Sequence, residues 1–227
     1  MAEPPAEPRE EVIRDERGRL RERKFTLRGK KEGEYASFFG NGRIMVRMGF
    51  RNGRREGEAV SFYPDGQIRE KGFFKNGKPE GEYLSWYESG ALHEQENYLN
   101  GLLDGPYRFY YRNGQIRDEE NFRKGKFEGE YRAFYKNGRL RERGAFRDDQ
   151  RDGEYEAYDR EGRLREKALY RNGKLVGKFM VFSPGGGPAV WMDGTDDRSP
   201  EEVEDDREER EKRADDLLKD LQNFGKP

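Results

Sequence analysis

The chain has 227 residues, of which 31% are hydrophobic and 41% charged, an apolar supply too thin for a thick two-layer enzyme. Aromatic residues at 13% and 29 glycines argue equally against disorder, because chains that stay unfolded are poor in aromatics. There is no cysteine, which excludes disulfides and thiolate metal sites. The formal charge of −1 hides an uneven split: from Asp193 onward 14 Asp/Glu stand against 7 Lys/Arg, a balance of −7 that leaves +6 on residues 1–192.

The opening "MAEPPAEPREEV" is acidic and proline-rich, without the cationic start and apolar stretch of a secretory signal. Residues 1–14 read as a flexible N-terminal tether, and a cytoplasmic location is expected. No apolar run approaches the ~20 residues needed to span a bilayer.

From residue 15 to 192 the chain is a repeat. Gly33, Gly57, Gly81, Gly105, Gly129, Gly153 and Gly177 stand 24 residues apart, and a second glycine follows nine residues later in each unit, from Gly42 to Gly186. A third falls at Gly53, Gly77, Gly101, Gly125 and Gly173, with Asp149 in its place in the fifth unit. A partial unit carrying Gly18, Leu20 and Gly29 precedes them, and the last decays after Phe182 into "SPGGGPAVW", which reads as a cap. One unit spells approximately G-E-Y-x-x-F-Y-x-N-G-x-(I/L)-R-E-x-x-x-(F/Y)-x-N-G-x-x-(D/E). Asn-Gly and Asp-Gly favour type I′ hairpin turns, here within units at Asn41-Gly42, Asp65-Gly66, Asn113-Gly114 and Asn137-Gly138, and between units at Asn52-Gly53, Asn76-Gly77, Asn100-Gly101 and Asn172-Gly173. The fold class is therefore an all-β repeat: an elongated single-layer antiparallel β-meander of 24-residue hairpin units. It should hold roughly 14 or 15 strands along about 65 to 70 Å.

A two-residue turn at Asn137-Gly138 sets Tyr135 opposite Leu140 and Phe134 opposite Arg141, unless a bulge shifts the register by one. Alternation then gives Tyr131, Ala133, Tyr135, Leu140 and Phe146 one face. The core rows are Ile44, Ile68, Leu92, Ile116, Leu140 and Leu164 beside Phe39, Tyr63, Tyr87, Tyr111 and Tyr135. The other face carries Phe38, Phe62, Trp86, Tyr110, Phe134, Tyr158 and Phe182 against Arg69, His93, Arg117, Arg141 and Arg165. Guanidinium over aromatic rings is a candidate partner-binding surface; the alternative is a solvated face where long stems cover the rings.

Residues 193–227 read as an acidic linker and an amphipathic C-terminal α-helix, with Ser199 as N-cap, Pro200 at the first helical position and Gly225 as the stop. Its apolar stripe includes Leu217, Leu218, Leu221 and Phe224, suited to docking over the last strands or onto another protein.

The spellings "GEYLSWYESGAL" at Gly81, "GPYRFYYRNGQI" at Gly105 and "GEYRAFYKNGRL" at Gly129, with "YRNGKLVG" at Tyr170, resemble the MORN repeat. The resemblance is closest to its bacterial variant, which also defines the YwqK-type antitoxin family. It covers about residues 15 to 190 and implies a scaffold for protein contacts, sometimes linked to phospholipid membranes, with no catalytic residues to carry over.

Catalysis needs groups converging in a pocket, and little here offers that. His93 fills a slot held by arginine in four other units, "GGG" at Gly185 lacks the Lys-Ser/Thr of a phosphate loop, and Glu34, Glu58, Glu82, Glu130 and Glu154 read as solubilising strand charge rather than calcium ligands. The expected function is a non-catalytic scaffold for a protein partner, antitoxin-like in the family's bacterial form, with no cofactor, metal or small-molecule substrate. The alternative is contact with anionic lipid or single-stranded nucleic acid through the arginine and aromatic rows.

Overall fold

A computed structural model describes residues 6–182 and the backbone of the strand Val190–Asp193. The described residues up to Met192 belong to one compact unit. The expected helix with Leu217, Leu218, Leu221 and Phe224 lies outside the described residues, as does the expected cap up to residue 189.

The long strands join in chain order, each antiparallel to the next. Arg9–Arg14 pairs with Leu20–Leu27, followed by Lys30–Phe38, Ile44–Arg51, Arg54–Phe62, Ile68–Lys75, Gly81–Trp86 and Leu92–Leu99. Gly105–Tyr110, Ile116–Arg123, Gly129–Phe134, Leu140–Arg147, Gly153–Tyr158, Leu164–Arg171 and Lys178–Val181 continue the meander. The first strand takes the end of the stretch expected to be a tether. Its Val12 and Ile13, alternating with charges, suffice to extend the sheet by one hairpin.

Every unit bends its first strand at the residue pair ending in the register glycine. Gly81 has φ +76° and Gly129 φ +93°, a left-handed conformation that glycine adopts without penalty. The preceding Glu80 and Glu128 donate their N–H groups to Phe73 and Asn121 carbonyls. Two residues there oppose one, a bulge, and it separates the short segments Lys78–Pro79, Leu102–Leu103, Lys126–Phe127, Gln150–Arg151 and Lys174–Leu175 from the strands that follow.

The two kinds of turn differ. Between units the chain makes the expected two-residue reversal: Asn52 and Gly53 both have positive φ, 52° and 78°, and Arg51 pairs with Arg54. Within units only the glycine is left-handed. The Tyr135 N–H donates to the Arg139 carbonyl and the Gly138 N–H to the Tyr135 carbonyl, which makes a three-residue loop with a glycine bulge. Asn137 Oδ1 accepts the Arg139 N–H at 3.1 Å, and Asp65 Oδ1 the Gln67 N–H at 2.9 Å. Asparagine serves here through its side chain rather than through its φ.

A second bulge follows at once and corrects the expected register. Phe134 faces Leu140, Tyr135 faces Arg139, and Ala133 faces Glu142, so Arg141 is the extra residue. The same shift recurs at Phe38, Phe62, Trp86, Tyr110 and Tyr158.

Candidate functional site

The bulge redistributes the rows between the two faces. The inner face carries Tyr35, Tyr83, Tyr107, Tyr131 and Tyr155, followed two residues on by Ser37, Ser85, Phe109, Ala133 and Ala157. Tyr83, Tyr131 and Ala133 are buried. Close packing goes as far as Gly72, where an added Cβ would lie 2.1 Å from Tyr83 Cδ2. Facing these residues is a row the sequence reading did not single out: Glu22, Val46, Glu70, Glu94, Asp118, Glu142 and Glu166, one per unit. Glu70, Glu94 and Asp118 are buried.

Buried carboxylates need donors, and the tyrosines supply them. Tyr35 donates to Glu22 at 3.2 Å, Tyr83 to Glu70 at 3.1 Å, Tyr107 to Glu94 at 3.3 Å, and both Tyr131 and Tyr155 to Glu142 at 3.0 and 2.9 Å. Burial next to carboxylates raises the pKa values of Tyr35, Tyr83 and Tyr155, that of Tyr35 to about 12. Burial alone would raise Glu142, but the Arg141 guanidinium and the two hydroxyls hold it below the usual carboxylate value. Glu96 has no such arginine: burial, and then the charge of Glu94, push it up to about 8, so it is protonated at neutral pH.

The arginine row expected on the opposite face completes this one. Arg69 sits 3.1 Å from Glu70 and 3.3 Å from Ser61 Oγ. Arg117 reaches Asp118 at 3.1 Å with its guanidinium 4.8 Å from the Phe109 ring centre, and Arg141 reaches Glu142 at 2.9 Å. His93 packs its ring against Tyr87 and Phe109 and lies 3.3 Å from Ser85 Oγ. The expectation that arginines face the aromatic row is thereby corrected. As bulge residues they join the tyrosine–carboxylate face. Arg165, in the equivalent position, is half-buried and its carbonyl accepts the Phe182 N–H.

The outer face keeps the aromatic row and gains the aliphatic one expected in the core. Phe62, Trp86, Tyr110, Phe134 and Tyr158 stand opposite Ile68, Leu92, Ile116, Leu140 and Leu164. The five aromatics are half-buried, and Ile44 and Ile68 remain 37% and 39% exposed. Two contacts fix the orientation: Tyr110 donates to Gln95 at 3.4 Å and Tyr158 to Glu156. Beside this apolar stripe runs a zipper of surface ion pairs. Arg23 meets Glu34, Lys71 meets Glu58 at 2.7 Å, Arg108 meets Glu119 at 3.1 Å, and Arg143 meets Glu156 at 2.7 Å. The Tyr158 hydroxyl, with Arg143 and Lys167, draws the Glu156 pKa down to about 2.

Three hydrogen-bond ladders tie each unit to the next. The hydroxyls of Tyr63, Tyr87, Tyr111 and Tyr135 donate to the carbonyls of Trp86, Tyr110, Phe134 and Tyr158, at 2.6 to 2.8 Å. Asn41 and Asn113 side chains donate to the Pro64 and Lys136 carbonyls. Glu32, Glu56, Glu80, Asp104 and Glu128 accept the N–H of the left-handed residue in the following turn, from Asn52 to Asp148. The tyrosine ladder holds the outer aromatic row at fixed spacing, because its acceptors are that row's own carbonyls.

The family profile described as MORN repeat variant matches residues 55–76, 79–100, 103–124, 127–148 and 151–172. The chain is a MORN-type repeat protein. The five matches begin 24 residues apart, the period read from the glycines. The MORN repeat is a non-enzymatic module that generally engages proteins or membrane lipids. No curated protein matches the chain. Among solved structures, the crystal structure of the GtfA/B complex bound to UDP and GlcNAc aligns over 51% of this chain at 12% identity and a TM-score of 0.22. The aligned region spans 22% of that chain, and so slight a likeness carries no argument. Among the described residues, no group of three or more His, Asp or Glu is placed to hold a metal ion, and no helix is long and apolar enough to cross a membrane.

Proposed function

We propose that this MORN-type protein is a non-catalytic scaffold, acting in the cytoplasm, that binds a protein partner through the outer stripe centred on Trp86, Tyr110 and Phe134. The observation that supports this reading is the division of the faces. The inner rings and charges satisfy one another, whereas the outer aromatics lie beside half-exposed aliphatics in a row repeated unit after unit. Large rings flanked by rim charges are the composition of interface hot spots, and repetition lets several weak contacts add. In the antitoxin-like form of the proposal, the partner is a toxin occluded by this surface. Of the arginine row first considered, Arg69, Arg117 and Arg141 are engaged with inner carboxylates and are withdrawn from that surface.

The triple variant Trp86→Ala/Tyr110→Ala/Phe134→Ala should lose a co-purified partner, identified by mass spectrometry, while its far-ultraviolet circular dichroism is unchanged. Undiminished recovery of the partner by the well-folded variant would sink the assignment.

A second reading, contact with an anionic lipid surface, is favoured by one observation at the turns between units. Arg51 pairs with Arg54, Lys75 with Lys78, Arg123 with Lys126 and Arg171 with Lys174. Like charges directly opposite one another destabilise a sheet, and an anionic surface would relieve them. Arg51 and Lys126 also reach Glu56 and Asp148. Flotation with vesicles containing phosphatidylserine should then depend on Lys75 and Lys78 and weaken with salt.

A further inference from the structure

The strand Arg9–Arg14, "REEVIR", is exposed at all six residues, and its only strand partner among the described residues is Leu20–Leu27. Val12 and Ile13 are 45% and 46% exposed. Such an edge presents a row of backbone donors and acceptors to any second strand. Which residues present them follows from the turn: the Asp15 N–H donates to the Arg19 carbonyl, so residue 15 points its main chain at its neighbour. By alternation residues 9, 11 and 13 do the same, and Glu10, Val12 and Arg14 point theirs outward. The bulge of this hairpin lies at Arg21 on the partner strand, so the alternation along the edge strand is undisturbed.

We propose that this edge pairs with the same edge of a second copy of the chain, antiparallel about a two-fold axis at Val12. Outward-pointing residues must meet outward-pointing residues, which restricts a symmetric pairing to registers centred on a residue. Centring on Glu11 sets Glu11 against Glu11, and centring on Ile13 sets Glu11 against Asp15. Centring on Glu10 or Arg14 sets that charge against its own copy. Only the register centred on Val12 brings opposite charges together with no like pair: Glu10 meets Arg14 on both sides of a Val12–Val12 contact, and Glu11 meets Ile13. The two Val12 residues exchange both main-chain hydrogen bonds, and Glu10, Val12 and Arg14 share one face, so both ion pairs flank the valines. Glu10 makes no ion pair within the chain among the described residues, and Arg14 donates only to the Gly18 carbonyl at 3.0 Å. The two meanders then form one continuous sheet with a common outer face, and the repeats available to a partner are doubled.

An interface one short strand wide is small, so the pairing is weak and concentration-dependent. It is read from the molar mass of the full chain by light scattering after size exclusion, across about 10 to 500 µM. The wild type should rise toward twice the monomer mass. Glu10→Arg, which opposes like charges, should stay monomeric, and Glu10→Arg/Arg14→Glu should recover the association. Val12→Pro removes only an outward-pointing N–H, a change that edge strands tolerate, and should also abolish it with circular dichroism unchanged. A wild type that is monomeric throughout overturns the proposal, and so does association that survives both Glu10→Arg and Val12→Pro. Neither result bears on the outer aromatic stripe, whose test is a partner rather than a mass.

Discussion

Met45–Val46 and Arg117–Asp118 occupy the same two places in the repeat, and the second residue of each pair is buried. In one unit the place is filled by thioether and isopropyl groups, with Val46 2% exposed; in the other by a guanidinium and a carboxylate, with Asp118 also 2% exposed. The substitution is paired. Where the carboxylate gives way to valine, the arginine gives way to methionine; Arg69–Glu70, Arg141–Glu142 and Arg165–Glu166 keep both, and His93–Glu94 keeps the carboxylate with an imidazole in the arginine's place. What the fold demands at this place is filled volume without an uncompensated charge, and either chemistry supplies it. At Glu70, Glu94 and Glu142 the charged version adds hydrogen bonds from tyrosine hydroxyls; at Asp118 the guanidiniums of Arg117 and Arg141 stand 3.1 and 3.9 Å away. The apolar version forgoes those bonds and removes the desolvation cost.

Breaking the pair asymmetrically should have the largest effect. Arg117→Met leaves Asp118 buried with the more distant Arg141 guanidinium, 3.9 Å away, in place of the contact at 3.1 Å, and should lower stability by about 2 kcal/mol. Arg117→Met/Asp118→Val, which copies the Met45–Val46 unit, should return to within about 1 kcal/mol of the wild type. Urea denaturation decides between them, and a double variant as unstable as the single one would mean that the ion pair itself holds the unit.

Glu96 sharpens the comparison, being a carboxylate without the arginine. Its pKa rises on folding from 4.5 to about 8, so the folded chain holds a proton that the unfolded chain releases. The resulting stability is complete below the unfolded value and is lost as pH rises toward 8, with a slope of up to about 1.4 kcal/mol per pH unit. Glu96→Gln keeps a neutral side chain of the same shape and should flatten that slope. Equal slopes in the variant and the wild type, measured by denaturation from pH 5 to 8, would assign the pH dependence elsewhere.

The smallest effect is expected on the ladder between units. Phe39 stands naturally where Tyr63, Tyr87, Tyr111 and Tyr135 carry the hydroxyl, so Tyr111→Phe should fit without strain. It removes one donor to the Phe134 carbonyl, 2.8 Å away, at a cost of about 1 kcal/mol. Lowered hydrogen-exchange protection confined to the two units it joins is the expected readout.

The period, the strands and the turns between units were legible in the sequence, because glycine spacing and Asn-Gly pairs act locally. The distribution of rows between faces was not, since a single bulge residue decides it. Asn137-Gly138 and Asn52-Gly53 look alike but close different loops. The clue lay in Ser89-Gly90 and Glu161-Gly162, where only the glycine is suited to positive φ. Misreading that turn sent Leu140 inward and Arg141 outward, the reverse of what the structure shows. The buried carboxylates went unread because an Arg-Glu dipeptide in so charged a chain resembles surface; its paired replacement by Met-Val was the sign of burial.

The division of labour between the faces is tested most directly by hydroxyl-radical footprinting of the full chain with and without its co-purified partner. Protection at Trp86, Tyr110, Phe134, Ile68 and Leu92, with Tyr83 and Tyr131 unchanged, is the predicted result. Protection that falls on the inner tyrosines and spares the outer row would contradict it.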